Sequence, residues 1–158
     1  MKLTEEIRIS APRETVYAAL NDPDVLRQSI PGCEELEKVS DTELSAVVRA
    51  KVGPVRARFR GDVTLSDLNP PESYTLKGQG KGGAAGFARG EASVHLTQDG
   101  DATLLHYDVN ATVGGKLAQL GSRLVDNSAK SLAAEFFENF RKVVSNDENN
   151  GDADKAGS

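Results

Sequence analysis

The hydrophobic pattern changes period twice along the chain. At the start, "KLTEEIRI" puts Leu3, Ile7 and Ile9 on one parity, the alternation of a half-buried strand. Ser10 then precedes Ala11-Pro12, and proline suits a first helical turn, so a short helix is predicted from about Pro12 to Leu20. "NDPDVLRQSIPGC" restarts after Pro23 and must stop before Pro31, because proline disfavours the helical conformation in the residue before it. A second helix of less than two turns follows.

From Cys33 to Val113 the period is two. Strands are predicted at about 33–39, 43–52, 55–68, 74–81, 87–98 and 103–113, divided by "SD", "GP", "NPPES", a glycine stretch and "DGD". Connections this short imply an antiparallel meander. Leu44, Ala46, Val48, Ala50 and Val52 alternate with polar residues, as do Ala57, Phe59, Gly61, Val63 and Leu65, so one face of the sheet is buried.

After Gly114-Gly115, apolar positions recur at three and four: Leu117, Leu120, Leu124, Leu132, Phe136, Phe140 and Val143, with Ser128 in the same stripe. About 28 residues of helix span roughly 42 Å, more than the roughly 33 Å of a ten-residue strand. The predicted class is α+β in the order β-α-α-β6-α, with a curved antiparallel seven-stranded sheet wrapped around the last helix. That is the helix-grip arrangement of the START-like superfamily. It occupies 1–144, and the remainder, 145–158, lacks apolar periodicity and is expected to be a disordered acidic tail.

In a meander, alternate turns share one end of the sheet. "VGP" with Gly53 and Pro54, "KGGAAGF" with Gly82, Gly83 and Gly86, and "VGG" with Gly114 and Gly115 therefore collect together and are the candidate gate loops. Buried-face residues toward that end are small. Ala50, Gly61, Ala88, Gly90, Ala92 and Ala111 join Phe59, Phe87, Tyr107, Tyr17 and the helical Leu117, Leu120 and Leu124 as the expected wall of an apolar ligand site. The alternative is that helix side chains, with Tyr17, Leu20, Leu26 and Ile30, fill the space. An empty apolar cavity of about 300 Å3 would cost roughly 7 kcal/mol, which rivals the roughly 5–15 kcal/mol stability of a whole domain. A guest is the better expectation.

Composition narrows the classes. The 158 residues carry no Trp and one cysteine, Cys33, so the core is light, an internal disulfide is excluded and a thiolate metal cluster is not available. Net charge is −5, of which 145–158, with four acids against one lysine, supplies −3. Such a balance does not point to nucleic acid. No apolar run approaches the roughly 18–20 residues that span a bilayer, and "MKLTEEIRIS" is not a signal sequence, so a cytoplasmic protein is expected.

"GQGKGG" at 78–83 matches G-x-G-x-x-G, but a dinucleotide fingerprint must open a helix in a parallel βαβ unit and here a strand follows. His95 and His106 lie on the outer parity of the last two strands, either diagonal or directly opposed depending on the turn; a metal could use them with Asp108 or Glu91, though a solvated face is expected. No serine elbow appears and the buried face shows no evident acid–base pair, so no catalytic residue is assigned; the alternatives to a ligand carrier are a maturation or membrane-recruitment adaptor without a ligand and, less favoured, a small cyclase- or hydratase-type enzyme assisted by a tyrosine. With "GP" as turn, Arg49 opposes Arg58 and Lys51 opposes Arg56, with Arg60 adjacent. Like charges directly opposed are destabilising. Extended by Lys77, Lys81 and Arg89, this is a candidate docking patch for an acidic partner or an anionic membrane.

"IPGCEELE" (30–37), "KVGPVRARFRGDVTLSDLNPPESYTL" (51–76), "GKGGAAGFARGEASVHL" (80–96) and "YDVNATVGGKLAQLGSRLVD" (107–126) resemble the carbon monoxide dehydrogenase G-subunit (CoxG) family. The resemblance implies a non-catalytic accessory role to a molybdenum-containing carbon monoxide dehydrogenase or related hydroxylase, without a molybdenum site or covalent cofactor in this chain. Because such enzymes deliver electrons to a respiratory chain, the expected guest is a quinone or another lipid-like molecule, with peripheral contact at the inner membrane face. In helix-grip hormone receptors the loops after the third and fifth strands act as gate and latch; by analogy these are Gly53-Pro54 and Gly82 to Phe87.

Overall fold

In the computed structural model the chain runs β1 (Lys2–Ile9), α1 (Arg13–Leu20), α2 (Pro23–Ser29), β2 (Cys33–Ser40), β3 (Glu43–Val52), β4 (Val55–Asn69), β5 (Ser73–Lys81), β6 (Phe87–Asp99), β7 (Ala102–Gly114), α3 (Lys116–Gln119) and α4 (Ser122–Gly157). Residues 1–157 are described, with side chains through Ser145. The expectation of a disordered acidic tail past Ser145 lies outside the residues whose side chains are described.

All seven strands join one antiparallel sheet in the order β1-β7-β6-β5-β4-β3-β2. The meander is the one the alternation predicts, and β1 adds to its last strand. The class is α+β helix-grip. The "GP" turn sets the predicted register, with Val52 facing Val55, Arg49 facing Arg58 and Lys51 facing Arg56. At the last hairpin Asp99 faces Ala102, so the turn centres on Gly100-Asp101 and His95 opposes His106 directly. Register shifts in β2 and between Ser66 and Asn69 of β4 mark irregularities of the kind that bend strands and increase twist.

The short helices follow local chemistry. The Asp22 side chain accepts from the Asp24 amide at 2.9 Å with Pro23 as first helical residue, which satisfies an otherwise orphan donor. The single C-terminal helix predicted from Leu117 onward is instead two. Gly121 has φ +87°, a left-handed conformation that ends α3 and that only glycine adopts without strain, so the chain re-enters the helix at Ser122.

The core is concentrated at the end of the sheet bearing the polar turns. Ile9, Val16, Leu105 and Phe140 are at most 1% exposed there. Two buried hydroxyls are satisfied by carbonyls, Thr103 on Ala11 at 2.7 Å and Ser29 on Val25 at 2.7 Å. Phe137, Phe140 and Val144 bind the later turns of α4 into this core. In the earlier turns Leu124, Ser128 and Leu132 are only half-buried.

Candidate ligand cavity

Between the concave face of the sheet, α2 and α4 lies a cavity of about 390 Å3. Leu44, Val63, Leu65, Leu76, Ala92 and Val94 floor it from β3 to β6, and Leu105 and Val109 continue the floor on β7. Leu20, Leu26 and Ile30 close one side, and Ala129, Ala133, Phe136 and Phe137 roof it from α4. The rings are held by one another: Phe136 meets Phe137 edge to face at 4.9 Å, and Phe137 stacks on Tyr107 at 5.4 Å. These arrangements favour fixed ring positions.

Two polar side chains reach the wall, Tyr74 and Tyr107. The Tyr107 hydroxyl donates to Glu5 Oε2 at 2.6 Å. Burial, the bond to Glu5 and its charge together hold this phenol protonated well above the ordinary tyrosine range. Tyr74 is 5% exposed and meets Tyr17 edge to face at 5.5 Å. Burial first, then the neighbouring Tyr17, raises its pKa in the same direction. The Tyr17 hydroxyl in turn donates to the Ser73 carbonyl at 3.2 Å.

Of the predicted wall, Ala92 and Tyr107 line this cavity. Tyr17 belongs to the packed core and reaches the cavity through Tyr74. Ala50, Phe59, Gly61, Ala88, Gly90, Ala111, Leu120 and Leu124 are half-buried outside the cavity lining, Leu117 is buried, and Phe87 is exposed. Among the loop glycines the small size has local causes. A Cβ on Gly53 would stand 2.6 Å from Leu124 Cδ2, and one on Gly82 would stand 2.6 Å from the Phe59 ring. Glycine there makes room for large neighbours, and Gly86, Gly114 and Gly115 are similarly crowded where their two loops meet beside Phe87. Gly83 has nothing within 4 Å of its Cβ position and φ +59°, and Pro54 is exposed at the β3–β4 turn.

Two residues of this site, Tyr74 and Glu5, fall outside the predicted wall, yet the alternation carries a signal for both. Tyr74 shares the inward parity of Leu76, and Glu5 that of Leu3 and Ile7. An acid on an apolar stripe needs a partner, and Tyr107 is opposite Glu5 in the register.

The basic residues lie on the outer parity, where Arg49, Lys51, Arg56, Arg58 and Arg60 are all exposed. Glu34 relieves part of the repulsion, accepting from Arg58 at 2.9 and 3.2 Å and standing 3.7 Å from Arg49. Lys77 stands 3.9 Å from Glu91. Among the described residues no carboxylate lies within 4.0 Å of Lys51, Arg56, Arg60, Lys81 or Arg89. On the same outer face His106 Nε2 stands 3.2 Å from Asp108, whose carboxyl is held below the ordinary range chiefly by the Thr4 hydroxyl. Among the described residues no three His, Cys, Asp or Glu side chains are gathered to hold a metal ion. No described helix is long and apolar enough to cross a membrane.

A long helix gripped by a seven-stranded antiparallel sheet over an apolar cavity defines a START-like protein, and solved structures agree. A conserved protein from Geobacillus kaustophilus superposes with a TM-score of 0.87 at 30% identity, covering 92% of this chain and 96% of that one. A START superfamily protein from Mycobacterium smegmatis gives 0.71 at 14% identity, over 92% and 97% of the two chains. The ZhuI aromatase/cyclase from Streptomyces sp. R1128 gives 0.67 at 11% identity, over 92% and 93%. The family model for the G-subunit of carbon monoxide dehydrogenase (CoxG) matches residues 6–145, and the chain belongs to that family. No curated protein matches it.

Proposed function

We propose that this protein is a non-catalytic accessory to a carbon monoxide dehydrogenase or a related molybdenum hydroxylase. It holds an apolar guest, a quinone or similar lipid-like molecule, and links the enzyme to the membrane and its respiratory chain. The observation that carries this reading is the cavity of about 390 Å3 with its nearly all-apolar wall. The space is partly open to solvent, so without a guest its apolar wall would stay wet, an arrangement that burial of an apolar molecule would relieve. It also falls in the size range of small-molecule sites, roughly 300–1,000 Å3. The family's name supports the choice of enzyme, and enzymes of this kind hand their electrons onward.

The basic outer face supports docking. Lys51, Arg56 and Arg60 have no acid within ion-pair distance among the described residues, a repulsive arrangement that an acidic dehydrogenase surface or an anionic lipid face would relieve. The same observation favours a second reading, a recruitment adaptor that carries no physiological ligand. Native mass spectrometry of the purified protein, followed by solvent extraction, separates the two. A co-purifying prenyl or lipid species supports the carrier; a protein that is empty and also refuses added quinone supports the adaptor.

A further inference from the structure

A buried hydroxyl in an apolar wall calls for a hydrogen-bond partner. The cavity wall contains two. Tyr107 donates its proton to Glu5 at 2.6 Å. Tyr74 is 5% exposed and lines the cavity; its hydroxyl makes no hydrogen bond to any described residue and is not sealed away, since among the described residues Arg13 Nε alone is both enclosed and unpartnered. Tyr17, edge to face against it, donates to Ser73 and makes no bond to Tyr74, and the flanking Leu76 and Val94 have no polar side-chain atoms.

We infer that Tyr74 orients the guest, its hydroxyl donating a hydrogen bond to an acceptor oxygen, a carbonyl in particular, on an otherwise apolar molecule held in the cavity. The inference rests on the reading of the cavity as a ligand site and sharpens it. A pure hydrocarbon would fill the volume but leave the hydroxyl unpaired, and the site would not distinguish its two ends. A flat or chain-like molecule with a terminal carbonyl satisfies the wall and is bound in one orientation. Tyr17 acts as a positioning residue, since its ring packs on the Tyr74 ring at 85°. A phenol that burial keeps protonated remains a donor throughout the neutral range.

The test uses the full chain after delipidation and two probes of nearly equal shape, menadione and 1,2,4-trimethylnaphthalene, in which methyl groups stand where menadione has its two carbonyl oxygens. Binding is measured by titration calorimetry for the wild type and for Tyr74→Phe. The expected result is an about tenfold weaker affinity of Tyr74→Phe for menadione, the effect of one hydrogen bond, with no change for the hydrocarbon. The carbonyl stretch of bound menadione should be lowered in the wild type and restored in the variant. The melting temperature of the empty variant should hold or rise, because no protein hydrogen bond is lost. Equal affinities of wild type and variant for menadione, a parallel loss for both probes, or a melting temperature several degrees lower would each overturn the assignment of Tyr74 alone. If the wild type binds neither probe, the ligand reading of the cavity fails and this inference falls with it.

Discussion

Ala92 and Gly90 stand two residues apart on β6 and face the same way, yet substituting them should move stability in opposite directions. Ala92 sits on the cavity floor between Leu76 and Val109. Ala92→Leu adds three carbons into existing space, worth about 2.4 kcal/mol at about 0.8 kcal/mol each, less about 0.5–1 kcal/mol of leucine rotamer entropy. The net gain of about 1.5 kcal/mol corresponds to a melting temperature roughly 3–6 °C higher for a chain of this size. At Gly90 a Cβ would stand 2.6 Å from the Asn110 carbonyl oxygen and 2.9 Å from Ala111 Cβ. Backbone cannot yield cheaply there, so Gly90→Ala should cost about 1–3 kcal/mol. The assay is thermal unfolding of delipidated protein by circular dichroism, followed by menadione titration. Ala92→Leu should melt higher and take up less menadione, because the added carbons occupy the guest's volume. A lower melting temperature for Ala92→Leu would show that the space is not there and would refute the cavity argument at its base.

Spectrophotometric titration at 295 nm tests the tyrosines. Burial is the first cause of the raised pKa of all three, Tyr17, Tyr74 and Tyr107. The folded state then holds these protons more tightly than the unfolded chain, whose phenols ionise near 10, so stability is intact below that pH and is lost as pH rises above it. Phenolate should appear only together with unfolding; a smooth titration centred near pH 10 in folded protein would contradict the burial. Lys51→Glu should stabilise the sheet by about 0.2–1 kcal/mol, since it turns a like-charge pair with Arg56 into an opposite one. The same variant should weaken co-sedimentation with the dehydrogenase or with phosphatidylserine vesicles at low salt. Undiminished binding to both would remove the outer face from the docking model. In hydrogen exchange, amides around Leu124 to Leu132 should exchange faster than those around Phe137 to Val144, because Val125 is the one buried apolar side chain of the first group whereas Phe137, Phe140 and Val144 anchor the second in the core. Uniform protection along α4 would argue for a rigid roof.

The fold was legible because its signals are local. Strict alternation around "VGP" leaves one register for β3 and β4, and slipping it by one residue would turn Leu44 and Val63 to solvent. The break between α3 and α4 was hidden because Gly121 lies off the apolar stripe, and Leu117, Leu120 and Leu124 read as one helix across it. The site was harder to read for a different reason. A run of small residues looks like empty space only if nothing folds over it, and here Phe59 and Leu124 come back onto Gly82 and Gly53 from elsewhere in the chain. Conversely Leu44, Val63, Leu65 and Leu76 are large, yet they floor the cavity because the sheet curves away from α4 beneath them. Curvature and helix height are properties of the assembled sheet and leave no mark on local periodicity.

The two ends of the molecule therefore carry different duties. At the polar-turn end, Ile9, Val16, Leu105 and Phe140 are almost fully excluded from water, so each contributes close to the roughly 1.5–3 kcal/mol of a completely buried aliphatic or aromatic side chain. The cavity borders this same core, since Leu105, Tyr74, Tyr107 and Phe137 belong to both. At the glycine end the elements are short: a four-residue α3 anchored by the buried Leu117, a junction at Gly121, and loops whose glycines pack on Leu124, Phe59 and Phe87. Segments of low local stability are the ones that open first. The Tyr17–Tyr74 pair and the Phe136–Phe137–Tyr107 stack belong to the packed end. The exposed Phe87 lies at this end, as do Lys51 and Arg56, which have no carboxylate within 4.0 Å among the described residues.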